Sequence, residues 1–353
     1  MTTIVHEGLN GIVAAETRLS MVDGERGRLV IGGFRVEELA EWPFERTVSL
    51  LWETAGFTGT PKALPLPERT RTLLHNAAAE RVPVMDALRM AASTLQAEDD
   101  AEAALVLAGS FPTIVASYWR ILHGLEPLPP RAHLGLAANY LYMLTGDEPH
   151  PELVRGTETY LNTVIDHGLN ASTFTARVIA STGSDLVSAI TGAIGALKGP
   201  LHGGAPGPAL DMVFEIGDAE RAEEILRRTI ETGERLMGFG HRVYKVRDPR
   251  ADVLAAAAER MFKRAGDMQL YELARAVEDT ALRLLEEHKP GRRLQTNVEF
   301  YTALLLHGLG LEVPLFTPTF AIGRVAGWIA HCFEQRTVGK IIRPESVYVG
   351  VMP

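Results

Sequence analysis

Lys198-Gly-Pro-Leu-His202-Gly-Gly-Ala205 and, further on, Met237-Gly-Phe-Gly-His241-Arg-Val-Tyr-Lys245-Val-Arg247-Asp-Pro-Arg250 set two histidines in unusual surroundings. Each imidazole is flanked by glycine, so backbone can approach closely and no adjacent side chain shields the ring. Past His202, Pro206 and Pro208 precede the amphipathic run Ala209-Leu-Asp-Met-Val-Phe214. Proline in a first turn signals a helix start, which puts His202 just outside a helix N-terminus. The helix dipole disfavours imidazolium there, so a neutral ring that donates a hydrogen bond is expected.

A turn with an incidental histidine would explain either motif alone. It does not explain the cations that follow His241, where Arg242, Lys245, Arg247 and Arg250 crowd together in a chain of net charge −9. Asp248-Pro249 caps and opens a helix, so Arg250 falls in its first turn. A cation there opposes the helix dipole, and an anionic ligand accounts for it better than helix stability does.

Leu-His202-Gly-Gly-Ala and Gly-Phe-Gly-His241-Arg-Val-Tyr-Lys-Val-Arg-Asp-Pro-Arg250 resemble the two signature motifs of citrate synthases, and the likeness runs from about Gly8 to Gly350. The amino-terminal Ala-Glu-Thr-Arg-Leu-Ser, Asp-Gly-Glu, Gly-Gly-Phe and Glu-Leu-Ala are similar to that family as well.

The 353 residues make one large domain or two ordinary ones, and 46% hydrophobic with 22% charged residues describes a soluble chain with a substantial core. The acidic balance argues against nucleic acid and against anionic membranes. Positive charge for an anionic substrate has to be local, as it is at 242–250. Cys332 is the sole cysteine, so no intrachain disulfide forms. In its apolar helical setting it reads as a small filler, and the reducing cytosol is the default compartment. No signal sequence opens the chain, and no apolar run is expected to approach the roughly 20 residues of a membrane span.

Along the chain, Glu16–Val22 and Arg28–Ile31 flank the turn signal Asp23-Gly24 and read as a β-hairpin. Val36–Trp42 takes helical spacing. From Phe44 onward helical periods dominate, punctuated by proline and glycine near 59–67, 124–130, 146–151 and 288–291. Few strands alternate with helices, so the expected fold is all-α with a small N-terminal β-hairpin. The small residues of Ser188–Leu197 permit close helix approach, within the chain or between subunits. The family resemblance favours a homodimer interface. It also supplies a domain boundary: a large helical domain (1–202 and 307–353), interrupted by a small one at 203–306 on the CoA side of a cleft. His202 stands at one hinge, and closure excludes water.

The remaining candidates are ambiguous by themselves. In Asp166-His167-Gly-Leu-Asn170-Ala-Ser172, either Asn170 or Ser172 reads as a helix cap and His167 as a polar loop residue. The resemblance implies that His167 contacts oxaloacetate. Asn297 reads as an N-cap with Glu299 in the first turn, a placement carboxylates favour anyway. The family has Asn-Val-Asp-Phe where this chain has Asn297-Val-Glu299-Phe, so the catalytic base gains a methylene. A misplacement of about 1 Å can lower a rate about a hundredfold. Arg324 has Phe320, Ala321, Gly327 and Trp328 as helical neighbours and no local carboxylate, so it needs a distant partner or an anion. Arg343 alone reads as a surface charge.

The resemblance implies an acyltransferase, citrate synthase, with acetyl-CoA and oxaloacetate as substrates and no cofactor or metal. Glu299 takes a proton from the thioester methyl, and neutral His202 donates to the thioester oxygen. His241 donates to the ketone oxygen of oxaloacetate. Arg250, Arg324 and the partner subunit's Arg343 clamp the carboxylates. Gly238 and Gly240 let backbone meet the adenine, and Lys245, with Arg247, faces CoA phosphates. Three alternatives stand beside this: 2-methylcitrate synthesis from propionyl-CoA, a citryl-CoA lyase, and a catalytically impaired acyl-CoA-binding protein. One methylene in a pocket is worth only about 1–3 kcal/mol.

Overall fold

The computed structural model describes residues 5–352 apart from Asn10, Gly204, Ala205 and Arg242. Strands β1 (Ser20–Asp23) and β2 (Arg28–Ile31) pair antiparallel across the Asp23-Gly24 turn, with Met21 opposite Val30. A short β3 (Phe34–Arg35) adds to β2, so the expected hairpin is the first part of a three-stranded sheet. Leu29 and Ile31 are buried while Arg28 is exposed, the period-two alternation of a sheet with one covered face.

Helices follow: α1 (Val36–Leu39), α2 (Phe44–Thr54), α3 (Glu68–Ala79), α4 (Val84–Ala92), α5 (Asp100–Leu122), α6 (Leu136–Thr145), α7 (Pro151–Val164), α8 (Ala171–Ser181), α9 (Leu186–Leu197), α10 (Pro206–Ile216), α11 (Ala219–Glu231), α12 (Pro249–Ala265), α13 (Gln269–His288), α14 (Val298–Gly308) and α15 (Phe316–Val338). The fold is all-α with a small sheet, as expected. Asn170, Asp248 and Asn297 cap α8, α12 and α14 through side-chain bonds to the first turn, the positions their sequence context indicated.

Two helices place the site. The first is α15, buried along most of its length against α2, α5, α7, α8 and α9. Its glycines set the approach. A Cβ on Gly327 would lie 2.2 Å from the Ile165 carbonyl oxygen, and one on Gly323 3.0 Å from that of Leu161. The end of α7 therefore rests directly on α15 beside Arg324. The second is α14, which packs against α7, α10 and α12 and carries Glu299 at its start.

Two sequence expectations change. The helix α5 is long and apolar enough to cross a bilayer, contrary to the expectation that no run approaches that length; 72% of its most apolar window is buried inside the protein, which marks it as a core helix. In α9, a Cβ on Gly192 would lie 2.3 Å from Ile179 Cδ1. That small residue therefore serves the contact between α8 and α9 within this chain. Cys332 is fully buried in α15, as a filler would be.

Candidate active site

His202 sits in a tight turn after α9, with its backbone N–H donating to Gly199 O at 2.9 Å and that of Gly203 donating to Leu197 O at 2.9 Å. A Cβ on Gly203 would come within 2.6 Å of Leu197 O, so this turn requires glycine there. The imidazole Nε2 lies 2.8 Å from Ser172 Oγ. Ser172 also accepts from Trp328 Nε1 at 3.1 Å and lies 2.8 Å from Asn170 Oδ1. One hydroxyl proton serves two acceptors here. If it goes to His202 Nε2, the ring carries its own proton on Nδ1, which has no other partner among the described residues. Burial, with Arg324 adding to it, pushes this imidazole down to about 4. The ring is neutral, as the sequence suggested.

His241 is fixed differently. Its Nδ1 accepts the backbone N–H groups of Val243 at 3.0 Å and Tyr244 at 3.1 Å. A nitrogen that accepts two N–H bonds holds no proton, so the neutral ring carries its hydrogen on Nε2. Burial and Arg250 push this ring down to about 4. His167 and Tyr244 complete an aromatic cluster: His167 Nε2 lies 3.2 Å from Tyr244 Oη, and the two imidazole centroids are 5.7 Å apart. Burial and the nearby Arg250 and Arg324 hold His167 well below the usual histidine range.

The two arginines differ. Arg250, 4% exposed, gives Nε and Nη2 to the carboxylate of Asp248 at 3.0 and 2.8 Å. The sequence argument that a cation in this first turn calls for an external anion is corrected here, because Asp248 two residues earlier already matches it. Arg324, 1% exposed, donates Nε to Val164 O at 2.6 Å and lies over the Phe320 ring. Among the described residues it makes no hydrogen bond to a carboxylate. Burial lowers its pKa to about 10, with Asp166 opposing that fall. Asp166 is itself buried and bonded to His331 Nε2 at 3.1 Å and to Ser20 Oγ. Arg324 thus keeps both Nη groups for an anion.

Glu299 stands in the first turn of α14, its backbone N–H capped by Asn297 Oδ1 at 3.0 Å. Its Oε2 is buried and has no hydrogen-bond partner among the described residues. Burial raises this carboxyl above its ordinary value, while Arg235 and Arg250 pull the other way. An orphaned, desolvated carboxylate oxygen is what a proton acceptor requires and what a purely structural residue avoids.

The segment that carries Glu299 is tied to the loop of His241. Gly240 N donates to Gln295 O at 2.7 Å, Asn297 N to Gly238 O at 2.9 Å, and Asn297 Nδ2 to Gly240 O at 2.9 Å. The loop of His241 and the start of α14 are thereby joined, Arg250 acts on the Glu299 carboxyl, and Arg324 lies close enough to act on His167 and His202. His202 sits with Ser172 and Phe320, and among the described residues no direct contact joins it to Glu299.

Other candidates stand apart. Gly238 and Gly240 take φ of 84° and 79°, and a Cβ on Gly238 would lie 2.9 Å from the Phe300 ring. Their first task is a left-handed backbone against α14. Lys245 is exposed, with its backbone N–H bonded to Gly24 O at 2.9 Å. Arg247, expected to face phosphates, instead meets Asp252 at 2.5 Å and Glu278 at 2.6 Å. Arg343 lies exposed on the tail beyond α15 and is not brought to the site within this chain. Arg242 falls outside the described residues. A concavity of about 780 Å³ between the α4–α5 connection, the start of α5 and the start of α9 is lined by Glu98, Asp99, Asp100, Glu102 and Asp185, the wrong charge for a dianion. Among the described residues no group of three or more His, Cys, Asp or Glu side chains is arranged to hold a metal.

Sequence reasoning passed over Ser172 as a cap candidate and missed Tyr244 and the Asp166–His331 pair. Tyr244, three residues after His241, had a local signal in its own motif. Ser172 and His331 had none, because their partners are distant in sequence.

A buried carboxylate beside two neutral imidazoles and two arginines, on an all-α scaffold, defines a site for acid–base chemistry on an anionic substrate. The family described as "Citrate synthase, C-terminal domain" matches residues 8–345. The chain is 39% identical over 367 residues to citrate synthase 2 of Bacillus subtilis, covering 97% of this chain and 95% of that one. Its fold matches the crystal structure of citrate synthase from Pyrobaculum aerophilum with a TM-score of 0.89, at 35% identity over 99% of this chain and 93% of that one. It also matches citrate synthase from Thermoplasma acidophilum, solved with carboxymethyl coenzyme A and oxaloacetate, with a TM-score of 0.88 at 29% identity, covering 100% and 98%. The chain belongs to the citrate synthase family.

Proposed function

We propose that this protein is a citrate synthase, an acyltransferase that joins acetyl-CoA to oxaloacetate and hydrolyses citryl-CoA to citrate and CoA. The observation that carries the reading is the unpartnered, buried Oε2 of Glu299 on a segment hydrogen-bonded to the loop of a His241 whose proton is fixed on Nε2. A thioester methyl is a very weak carbon acid, so a carboxylate needs a preplaced donor at the developing enolate oxygen. Glu299 Oε2 takes the methyl proton while His202 Nδ1–H donates to the thioester oxygen. That role requires the Ser172 hydroxyl to point at His202 Nε2; Asn170 Oδ1 then keeps the Thr173 N–H.

The enol carbon attacks the ketone carbon of oxaloacetate, and the ketone oxygen takes a proton from His241 Nε2 as it becomes the alcohol. Arg324, the free edge of Arg250 and the partner subunit's Arg343 hold the two carboxylates, with His167 beside them. Water then attacks the thioester carbon and CoA leaves as the thiol. No cofactor or metal enters this sequence. Lys245 faces CoA phosphates, and Gly238 and Gly240 expose backbone to the adenine. Arg247, matched by two carboxylates, braces the loop rather than binding phosphate.

The site is shared in a homodimer. Apolar side chains left bare at both ends support this, including Val13 at 87%, Val349 at 93% and Val351 at 90% exposure. Residues 203–306 form the small domain that closes over the large one.

The test is CoA-thiol release from acetyl-CoA with and without oxaloacetate, run beside propionyl-CoA. Release that needs oxaloacetate and prefers acetyl-CoA is expected. Faster turnover of propionyl-CoA would make the protein a 2-methylcitrate synthase. Absence of turnover with both, while CoA still binds, would leave only a binding role.

A further inference from the structure

Glu278 lies in α13, away from the reacting groups, and is 1% exposed. Its carboxylate takes four side-chain hydrogen bonds. Thr296 Oγ1 and Arg247 Nη1 donate to Oε1, each at 2.6 Å; Tyr301 Oη donates to Oε2 at 2.5 Å and Arg275 Nη1 at 2.8 Å. Burial alone would raise this carboxyl, but the bonds from Thr296, Tyr301 and Arg247 more than offset it and hold the group below its ordinary value.

Three of the four donors lead to the site. Thr296 forms a bridge with Phe239 in the loop of His241 and stands three residues before Glu299. Tyr301 is two residues after Glu299 in the first turns of α14. Arg247 adjoins Asp248, whose carboxylate grips Arg250 and whose N–H meets Thr296 O at 3.4 Å. Taking a carboxylate and a guanidinium out of water is costly, and apolar packing of equal volume is often at least as stable. What such a cluster supplies that apolar packing cannot is direction: donors from three segments converge on one fixed group.

We infer that Glu278 is a positioning residue for the condensation, fixing the start of α14 and the loop of His241 relative to each other. The inference rests on the citrate synthase reading above and names no new reactant contact. A drift of about 1 Å in either partner lowers a rate by about a hundredfold, so Glu278 acts on turnover through Glu299 and His241.

The experiment is a coupling test in the full-length protein. Glu278→Gln keeps the volume but presents an amide N–H₂ where donors need an acceptor, and kcat is expected to fall about tenfold to a hundredfold. Thr296→Val alone should lower kcat about tenfold, and less than about twofold once Glu278→Gln is present. Equal losses in both backgrounds would overturn the inference. So would variants that melt earlier yet keep the parent kcat below their melting temperature. If Glu278→Gln does not fold, Thr296→Val and Tyr301→Phe are combined instead, and additive losses again count against it. Amide exchange of the folded variants at 238–241 and 297–299 gives a readout independent of turnover. Faster exchange there supports the fixing of the two segments by Glu278 and unchanged exchange sinks it, whereas a parent that releases no CoA overturns the citrate synthase reading and with it the link to condensation.

Discussion

The backbone N–H of Tyr244 donates to His241 Nδ1 at 3.1 Å, and that of Val243 donates to the same nitrogen at 3.0 Å. This relationship settles which nitrogen can give a proton to a substrate. Both donors come from the turn after the histidine, so the tautomer is built into the motif itself. Nitrogen NMR of His241 should show a bare Nδ1 and a protonated Nε2 throughout about pH 5 to 8. A ring titrating near the ordinary histidine value would contradict the burial and the Arg250 field that push it down to about 4. Replacing the donor, His241→Ala, should lower kcat by about 10²–10³, the loss typical of one preplaced oxyanion donor.

With Glu299 as the proposed base, its carboxyl sets the acid side of the pH profile. A base must be deprotonated to act, and burial raises this carboxyl above its ordinary value. Activity is therefore lost as pH falls through a point above that value. The imidazoles of His202 and His241, at about 4, stay neutral across that limb. The acid limb of kcat/KM should follow a single proton. A two-proton limb would mean that an imidazole titrates with it. Glu299→Gln should abolish turnover, and Glu299→Asp tests whether the extra methylene is a handicap or is absorbed by the Asn297 cap.

Ser172 links His202 to the buried indole of Trp328. Ser172→Ala removes the hydroxyl that the proposed mechanism needs pointed at His202 Nε2 to keep the ring's own proton on Nδ1, and it orphans the Trp328 N–H. The second loss alone is worth about 1–3 kcal/mol of stability. Two readouts separate them: kcat should drop about tenfold or more, and melting should come earlier. Trp328→Phe, which spares the Ser172–His202 pair, should lower melting while leaving kcat close to the parent's.

The division between what could be read from sequence and what could not follows from distance along the chain. Helices, the hairpin turn and the caps at Asp248 and Asn297 are local events, written within a few residues, and were legible; the cap of α8 was legible only as either Asn170 or Ser172, and the structure decides for Asn170. So were the two histidine motifs, because glycine and proline around them declare their backbone. The local pairing of Arg250 escapes the sequence because Asp248 reads there only as a helix cap, although its second task is to neutralise the guanidinium. Arg247 was misjudged because Glu278 lies 31 positions away, where no spacing rule reaches. Ser172, Asp166 and His331 act through contacts across the fold, and only packing of α8 and α15 brings them together.

Gly24 tests the role of the hairpin. Its carbonyl accepts the Lys245 N–H at 2.9 Å, and a Cβ there would lie 2.2 Å from Val243 O. At its other end the hairpin holds the loop of His167, since Ser20 Oγ accepts the Gly168 N–H at 3.0 Å. Gly24→Ala has to push away the peptide that donates to His241. Overpacking of this kind costs about 1–3 kcal/mol, and its effect should appear as lower kcat as well as earlier melting. A variant with parent kcat would show that the hairpin tip only covers the loop.

Arg343 decides whether the site is shared between subunits. The tail is pinned where Ile342 N meets Ser181 Oγ at 3.0 Å, and the exposed Arg343 follows at once. Within one chain it reaches none of the candidate residues. If it serves the partner's site, Arg343→Ala and Glu299→Gln are each inactive or nearly so as pure dimers, for different reasons. Mixing the two by unfolding and refolding should restore activity. In a mixed dimer the Arg343→Ala subunit keeps Glu299 and receives an intact arginine from its partner, which makes one complete site. The other site lacks both groups. Random pairing makes about half the dimers mixed, so about a quarter of the parent's sites return. If the arginine acts within its own chain, no pairing completes a site and the mixture stays as inactive as its parts.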